Sequence, residues 1–470
     1  MKIYEARKYV VNNLHKAFTP RTIAVIGASH NSDKVGYKVV KALRDSDFPG
    51  EIYPVNPKQG EIVGLKVYRS VKDIPHEIDL AFITLPANLV FDVIKECSEK
   101  NVGIAVVSSS GFSESGNWDE QNRITEFVRE KELPLIGPNL IGIGTPYYNF
   151  NCGFIPYLPN KGRVAIISQS GSNLLAALGS SQLNHYGISF FVGLGNKADV
   201  DFSEMIEYAD RDINTGCIAL YIEGLDSPEA FKKACLNASK PIVAIKVGIS
   251  GIGVKAAYAH TASVNNDGGD VFYDAIFNES GVIRVNTWQE FLDTSLALGS
   301  TSPMVGDNIV IITNGGGAGI LACDHFERKG MPMKELKDIS PELPDKMRKH
   351  MPNFGSPLNP IDISGTATPE MYAGAIEEAF NDEHIHAIMV SICPTAVTDV
   401  EGITDKTIDL VNQYAYRKIP LIMECQGGDE CFNAILKLRS HGIPAYITPE
   451  QAVNAIVALR DYGKSSKEES

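Results

Sequence analysis

TIAVIGASHNSDKVGYKVVKAL, residues 22–43, reads as a strand, a glycine turn and a helix. Outward from it, EIYPVNP (51–57), DLAFITLP (79–86), GIAVVSSSG (103–111) and LPLIGPN (133–139) are four more short apolar strands. Helical patterns separate several of them, NLVFDVIKECSEKN (88–101) most clearly. Strands alternating with helices imply a parallel sheet covered on both faces. The pattern restarts at RVAIISQSG (163–171) and continues through SFFVGLGNKADVD (189–201), CIALYIEGL (217–225) and PIVAIKVG (241–248). It restarts again at IVIITNGGGAGILACDHFERKG (309–330), followed by AIMVSICPT, IPLIMECQGG and IPAYITP. The fold class expected is α/β, with three consecutive doubly wound domains, Rossmann-like or flavodoxin-like, and mainly parallel sheets. The domain edges fall at 1–145, 146–300 and 301–470. Residues 146–162 and STSPMVGDN (300–308) read as linkers, and the polar tail GKSSKEES as frayed.

Composition narrows the function classes. A length of 470 residues suggests two to four domains. A hydrophobic share of 44% against 21% charged is that of a globular chain. The net charge of −14 argues against nucleic acid and anionic membrane as partners, which need basic surface. Eight cysteines without a C-x-x-C read as reduced, buried thiols. His384 and His386 form an H-x-H pair with no third ligand nearby, so no metal site is expected. With no signal-peptide core and no apolar run of ~18 residues, a cytoplasmic location is expected.

Each restart runs from a strand through small residues into a helix: Gly27–Ser29, then Ser168–Ser172, then Asn314–Gly319. Free N–H groups at a helix start, with the helix dipole, can hold an anion without a basic side chain. The same small residues could simply permit tight strand–helix packing. The first turn does not match G-x-G-x-x-G. Asn56, Pro57 and Lys58 end the second strand, where an NAD site places an acid for the ribose hydroxyls. Lys58 suits an extra phosphate, which leaves NADP or a phosphorylated adenosine such as coenzyme A. No segment carries the glycine, lysine and serine or threonine of a P-loop.

IVAIKVGISGIGVKAAYAHTAS, residues 242–263, reads as a buried strand opening into a mobile glycine loop. The small neighbours Ala256, Ala257, Ala259 and Ala262 leave His260 open to close approach by a ligand. A solvated loop histidine is the plainer reading of that residue alone.

Taken together, AVIGAS with KVGY, YPVNPK, SSSGFSE, GPN, SQSG, LGNKADVD, YIEG, AAYAHTAS, TNGGGAG and NPIDISG resemble the alpha subunit of ADP-forming acyl-CoA (acetyl-CoA) synthetases, in the succinyl-CoA synthetase superfamily. The resemblance runs in the family's order from Thr22 to about Tyr462. It implies a CoA-binding first domain, a second domain with the phosphohistidine loop, and a third, ligase-like domain. The implied reaction is acyl-CoA plus ADP plus phosphate giving acid, CoA and ATP, reversibly. His260 falls on the phosphohistidine and Glu223 on the acid that orients it, while Ser168, Ser170 and Gly171 match the helix start that holds the phosphoryl group. Gly27, Ser29, Lys34, Asn56, Pro57, Lys58, Ser110, Gly111 and Phe112 match the CoA-binding loops. A carboxylate on one imidazole nitrogen leaves the other nucleophilic, which fits this chemistry independently. Ala262 stands where the family usually has glycine, and Leu140 where it has cysteine. The cofactors implied are CoA and, mainly on a partner, ADP or ATP with Mg²⁺. That partner is a separate ATP-grasp beta subunit in an α₂β₂ assembly. The rival readings are a CoA- or acyl-CoA-sensing subunit without turnover and a succinate-specific alpha-type chain.

Overall fold

A computed structural model describes residues 7–261 and 269–468, the side chains of 258–261 and 465–468 excepted. Two compact units result, Met1–Leu183 with Ile188–Asn286 and Asn184–Gly187 with Thr287–Ser470.

The first unit holds two sheets. In the first sheet Glu51–Val55, Thr22–Ile26, Leu80–Ile83, Ile104–Val107 and Leu135–Ile136 lie side by side, all parallel. In chain order this is 2-1-3-4-5, so the winding reverses beside Thr22–Ile26. Alternate side chains point to opposite faces, as a strand's period of two requires. Ile23 and Val25 pack with Val39, Val40 and Leu43 of helix Val35–Asp45. Ala24 and Ile26 share the opposite core with Val90, Ile94 and Ile124 from helices Ala87–Glu99 and Trp118–Glu130.

The second sheet repeats the order. Ile188–Gly193, Lys161–Ser168, Cys217–Ile222, Ile242–Lys246 and Ile283–Val285 are parallel neighbours in that sequence, again 2-1-3-4-5. Two further strands, Gly142–Thr145 and Phe150–Gly153, extend it as an antiparallel hairpin beyond Ile188–Gly193. Residues 142–145, expected at the end of the first domain, therefore belong to the second sheet, and the linker expected over 146–162 carries a sheet strand. Strands of four residues, joined through Pro, Tyr and Asn, gave no periodic signal to read.

The second unit carries the third sheet: Ile361–Asp362, Ile309–Thr313, Ala387–Ile392, Leu421–Cys425 and Ala445–Tyr446, all parallel, once more 2-1-3-4-5. The tail expected to fray is helical to Glu468. The main chain of Gly463 sits so close to Met304 that a Cβ there would lie 2.1 Å from its carbonyl oxygen. Lys464 pairs with Asp307 at 2.9 Å. Of the cysteines, Cys323 and Cys393 are half-buried rather than buried. No described helix is long and apolar enough to cross a membrane.

Candidate functional site

Ligands of open parallel sheets bind beyond the carboxyl ends of the strands, where the winding reverses. In each sheet that reversal lies at the first strand, and so at the three glycine turns.

At the second sheet the reversal separates Lys161–Ser168 from Ile188–Gly193 on one side and Cys217–Ile222 on the other. Ser168 pairs in register with Tyr221, which brings SQSG beside YIEG. The Ser168 hydroxyl donates to Ser170 O (2.8 Å) and accepts from Ser170 N–H (3.1 Å), so it shapes the turn. Ser170 Oγ accepts from the Asn173 side chain at 3.1 Å, at the mouth of helix Gly171–Asn184. Gln169 reaches across: its Oε1 accepts from the N–H groups of Glu223 (2.7 Å) and Gly224 (3.0 Å). Its Nε2 is buried and has no hydrogen-bond partner among the described residues. Glu223, Ser168 and Ser170 are all buried.

Lys246 closes the neighbouring strand in register with Ile222, immediately before Glu223. Beyond it, residues 251–261, read as a loop, form a helix whose last turn contains His260. Alanines at 256, 257 and 259 favour helix. Ser250 caps the start, its Oγ accepting from Gly253 N–H at 3.0 Å and its carbonyl from Val254 N–H at 2.7 Å. The side chain of His260 and all of Ala262 lie outside the described residues.

This helix packs on the 3₁₀ turn Ser113–Ser115 of the first sheet's last loop but one. Glu114 in that turn accepts from Gly111 N–H and from Phe112 N–H at 3.2 Å. It also accepts from Asn196 Nδ2 at 2.6 Å, tying SSSGFSE to LGNKADVD. Lys197 of the latter is buried, with Nζ 3.1 Å from Gly224 O and 2.9 Å from Asp226. Burial alone would lower its pKa, but Asp201 and Asp226 outweigh that and hold it above the ordinary lysine value. Loops of both sheets and the helix leading to His260 thus meet at one edge of the first unit.

The residues matched to CoA sit along the carboxyl edge of the first sheet. Gly27 has φ +93°, and a Cβ there would lie 2.8 Å from Thr84 O, so only glycine leaves the turn open. Asn56 is committed to the loop itself: Nδ2 donates to Ala28 O at 2.7 Å and Oδ1 accepts from Lys58 N–H at 2.8 Å. Pro57, Lys58 and Ser110 are exposed, as are Ser29 (half so) and Lys34, the residue before helix Val35–Asp45. Phe112 is in the core, so only its backbone faces this edge. The cradle, with an exposed lysine and no acid at the strand end, fits a phosphorylated adenosine.

Comparison with known proteins finds a family match on each of the three sheets. The CoA binding domain family matches residues 21–146, the succinyl-CoA ligase like flavodoxin domain 161–298, and the ligase-CoA domain 309–468. The acetate–CoA ligase [ADP-forming] I subunit alpha of Pyrococcus furiosus is 40% identical over 460 residues, spanning 96% of this chain and 98% of the relative. The chain belongs to the ADP-forming acetate–CoA ligase family of acid–thiol ligases. Another member, the acetate–CoA ligase [ADP-forming] of Methanocaldococcus jannaschii, is also 40% identical, over 94% of this chain but 62% of its own length. A member from Ca. Korarchaeum cryptofilum, the dinucleotide-forming acetyl-coenzyme A synthetase 1 solved with phosphate and ADP, superposes with a TM-score of 0.91 at 33% identity, covering 97% and 98% of the two chains.

Sequence reasoning did not single out Gln169, Glu114, Lys197 and Lys246, which the fold brings to this edge. Gln169 stands between two serines already singled out. Each lysine lies at the end of an otherwise apolar strand or its turn, where a charge has no packing reason to be; that was the available signal.

Proposed function

We propose that this chain is the alpha subunit of an ADP-forming acyl-CoA synthetase that works through a phosphohistidine at His260. Inorganic phosphate attacks the thioester carbon, the C–S bond breaks, and CoA leaves as thiolate and takes up a proton. The acyl phosphate then loses its phosphoryl group: a His260 ring nitrogen forms the N–P bond while the P–O bond to the acyl oxygen breaks and the carboxylate departs with the electron pair. Glu223 holds the proton on the other ring nitrogen, and the helix start at Ser168, Ser170 and Gly171 neutralises phosphoryl oxygens. The phosphoryl group passes to ADP on an ATP-grasp beta subunit, giving ATP, within an α₂β₂ assembly in the cytoplasm. Mg²⁺, held mainly by that partner, supplies charge neutralisation for the nucleotide. Gly27, Ser29, Lys34, Asn56, Pro57, Lys58 and the 110–112 loop hold CoA. The three functional domains, with edges near 145 and 300, follow the three sheets except at residues 142–145, which pair into the second.

What supports the reading is one juxtaposition: SQSG and YIEG meet at the reversal of the second sheet, and the helix that contains His260 packs on a loop of the CoA-binding family match. Acetyl-CoA and labelled phosphate should mark the protein in an acid-labile, base-stable form, and His260→Ala should abolish both label and turnover. Label surviving in that variant would refute the assignment.

A further inference from the structure

We infer that Lys246 is a phosphate-binding residue of the second sheet's site, its ammonium placed to pair with the phosphoryl group that arrives at His260. The proposal rests on the phosphohistidine reading above and adds to it the cation that the helix start lacks.

Lys246 is only 6% exposed, the last residue of an otherwise apolar strand. Burying an ammonium is costly unless an opposite charge compensates it. Among the described residues Lys246 makes no ion pair: its Nζ donates to Val247 O and lies 4.4 Å from the centre of the Tyr273 ring. A cation over an aromatic face recovers part of that cost but does not neutralise the charge. The charged groups facing it come from three elements. Asp270 stands on helix Gly269–Glu279 but is engaged by Arg284 of strand Ile283–Val285, which also takes Asp274. Glu223, beyond the end of strand Cys217–Ile222, is the remaining acid, with an orienting task of its own in the proposed chemistry.

The position suits a phosphoryl group. Lys246 pairs in register with Ile222, the residue before Glu223, on the strand next to the one that ends there, and it begins the connection to the helix that contains His260. Tyr273 places the ammonium against helix Gly269–Glu279 as well. A dianionic phosphoryl group there would replace the missing counter-charge, while Lys246 itself forms and breaks no covalent bond. Burial lowers its pKa to about 8, so the free site is mostly cationic at neutral pH and loses its charge just above. An incoming dianion holds the proton on, and phosphoryl uptake therefore weakens as pH climbs past that value.

The test measures labelling of the full chain by acetyl-CoA and radioactive inorganic phosphate, alone and with an ATP-grasp partner chain. Lys246→Met should cut the labelling rate by ~10²-fold or more, the scale of losing a charge-stabilising donor. It should raise the KM for phosphate while leaving the KM for acetate and the affinity for CoA unchanged. Lys246→Arg, charged at every accessible pH, should retain labelling within ~10-fold and lose the alkaline fall near pH 8. This second variant keeps the idea testable even where the first does not fold. Label in Lys246→Met equal to wild type, or an alkaline fall unchanged in Lys246→Arg, overturns the proposal alone. Equal rises in the acetate and phosphate KM values would also overturn it, in favour of a carboxylate site. Absence of label in the wild-type chain overturns the phosphohistidine reading and this proposal together.

Discussion

Three buried residues set the residue-scale expectations. Gln169 satisfies two buried N–H groups with a single oxygen. In Gln169→Leu both lose their acceptor, at about 1–3 kcal/mol each. The unfolding midpoint should drop and labelling at His260 should fall, whereas Gln169→Glu keeps an acceptor and should restore the midpoint. Glu223→Gln should slow phosphoryl transfer by ~10²-fold with stability little changed, read by single-turnover labelling. In the third sheet, Glu424 is fully buried and accepts from the Ser391 hydroxyl. Burial pushes its carboxyl up to about 7 from 4.5. A raised acid binds its proton more tightly when folded, so its contribution is complete below about pH 4.5 and lost as pH rises through about 7. Denaturant titrations of the second unit should lose stability over that window, by up to about 3 kcal/mol. Glu424→Gln should abolish that slope; a slope unchanged in the variant would place its origin elsewhere.

At the scale of elements, the N-terminal helix is the least expected contributor. Lys8–Phe18 reads as a short amphipathic leader, yet it packs against both sheets of the first unit, on Ile104–Val107 of the first and Gly142–Thr145 of the second. Phe18 is 1% exposed, with its ring centre 4.6 Å from Phe190 and 5.0 Å from Tyr208. Arg7, just before the helix, pairs with the buried Asp199, which Arg129 also meets at 3.2 Å. Phe18→Ala should cost about 3–5 kcal/mol through the cavity it leaves. Amide exchange should accelerate in Lys8–Phe18 and Ile188–Gly193 while the third sheet keeps its protection. The strands around the three turns were legible because each is a short apolar run bounded by small residues. The hairpin at 142–153 was not, because its identity comes from pairing with a strand nearly fifty residues later. The histidine segment was misread for a related reason: glycine and alanine both count as small, but alanine favours helix where glycine permits a loop.

At the scale of the molecule, the expectations concern ligand and partner. A loop of the first sheet is tied to the second through Glu114–Asn196, which makes the full chain the better subject for a binding test than a fragment of residues 1–145. Calorimetry on the full chain should show CoA binding more tightly than NAD, because Lys58 stands where NAD needs an acid. CoA lacking its 3′-phosphate should bind more weakly if Lys58 pairs with that group. The three switch-point turns have no lysine and serine or threonine set for a nucleotide's phosphates and Mg²⁺. Purified alone, the chain should bind CoA yet form no ATP from acetyl-CoA, ADP and phosphate. Adding the ATP-grasp beta subunit should restore turnover, with the complex visible by light scattering. ATP made by the chain alone would refute the need for a partner.

The α/β class and the threefold restart were determined by the sequence itself, because alternating apolar strands and helices leave a chain few ways to bury both faces of a sheet. The expectation that CoA and not NAD binds the first domain is equally local, a matter of Lys58 where an NAD site places an acid. Only the tertiary structure decided that all three sheets share the order 2-1-3-4-5, which places every glycine turn at a reversal of winding. It also decided that Gln169 bridges to the backbone of Glu223 and that Lys246 lies buried beside it. Such adjacencies join residues tens of positions apart through strand register, and register is set by packing of the whole sheet, which no local run of residues specifies.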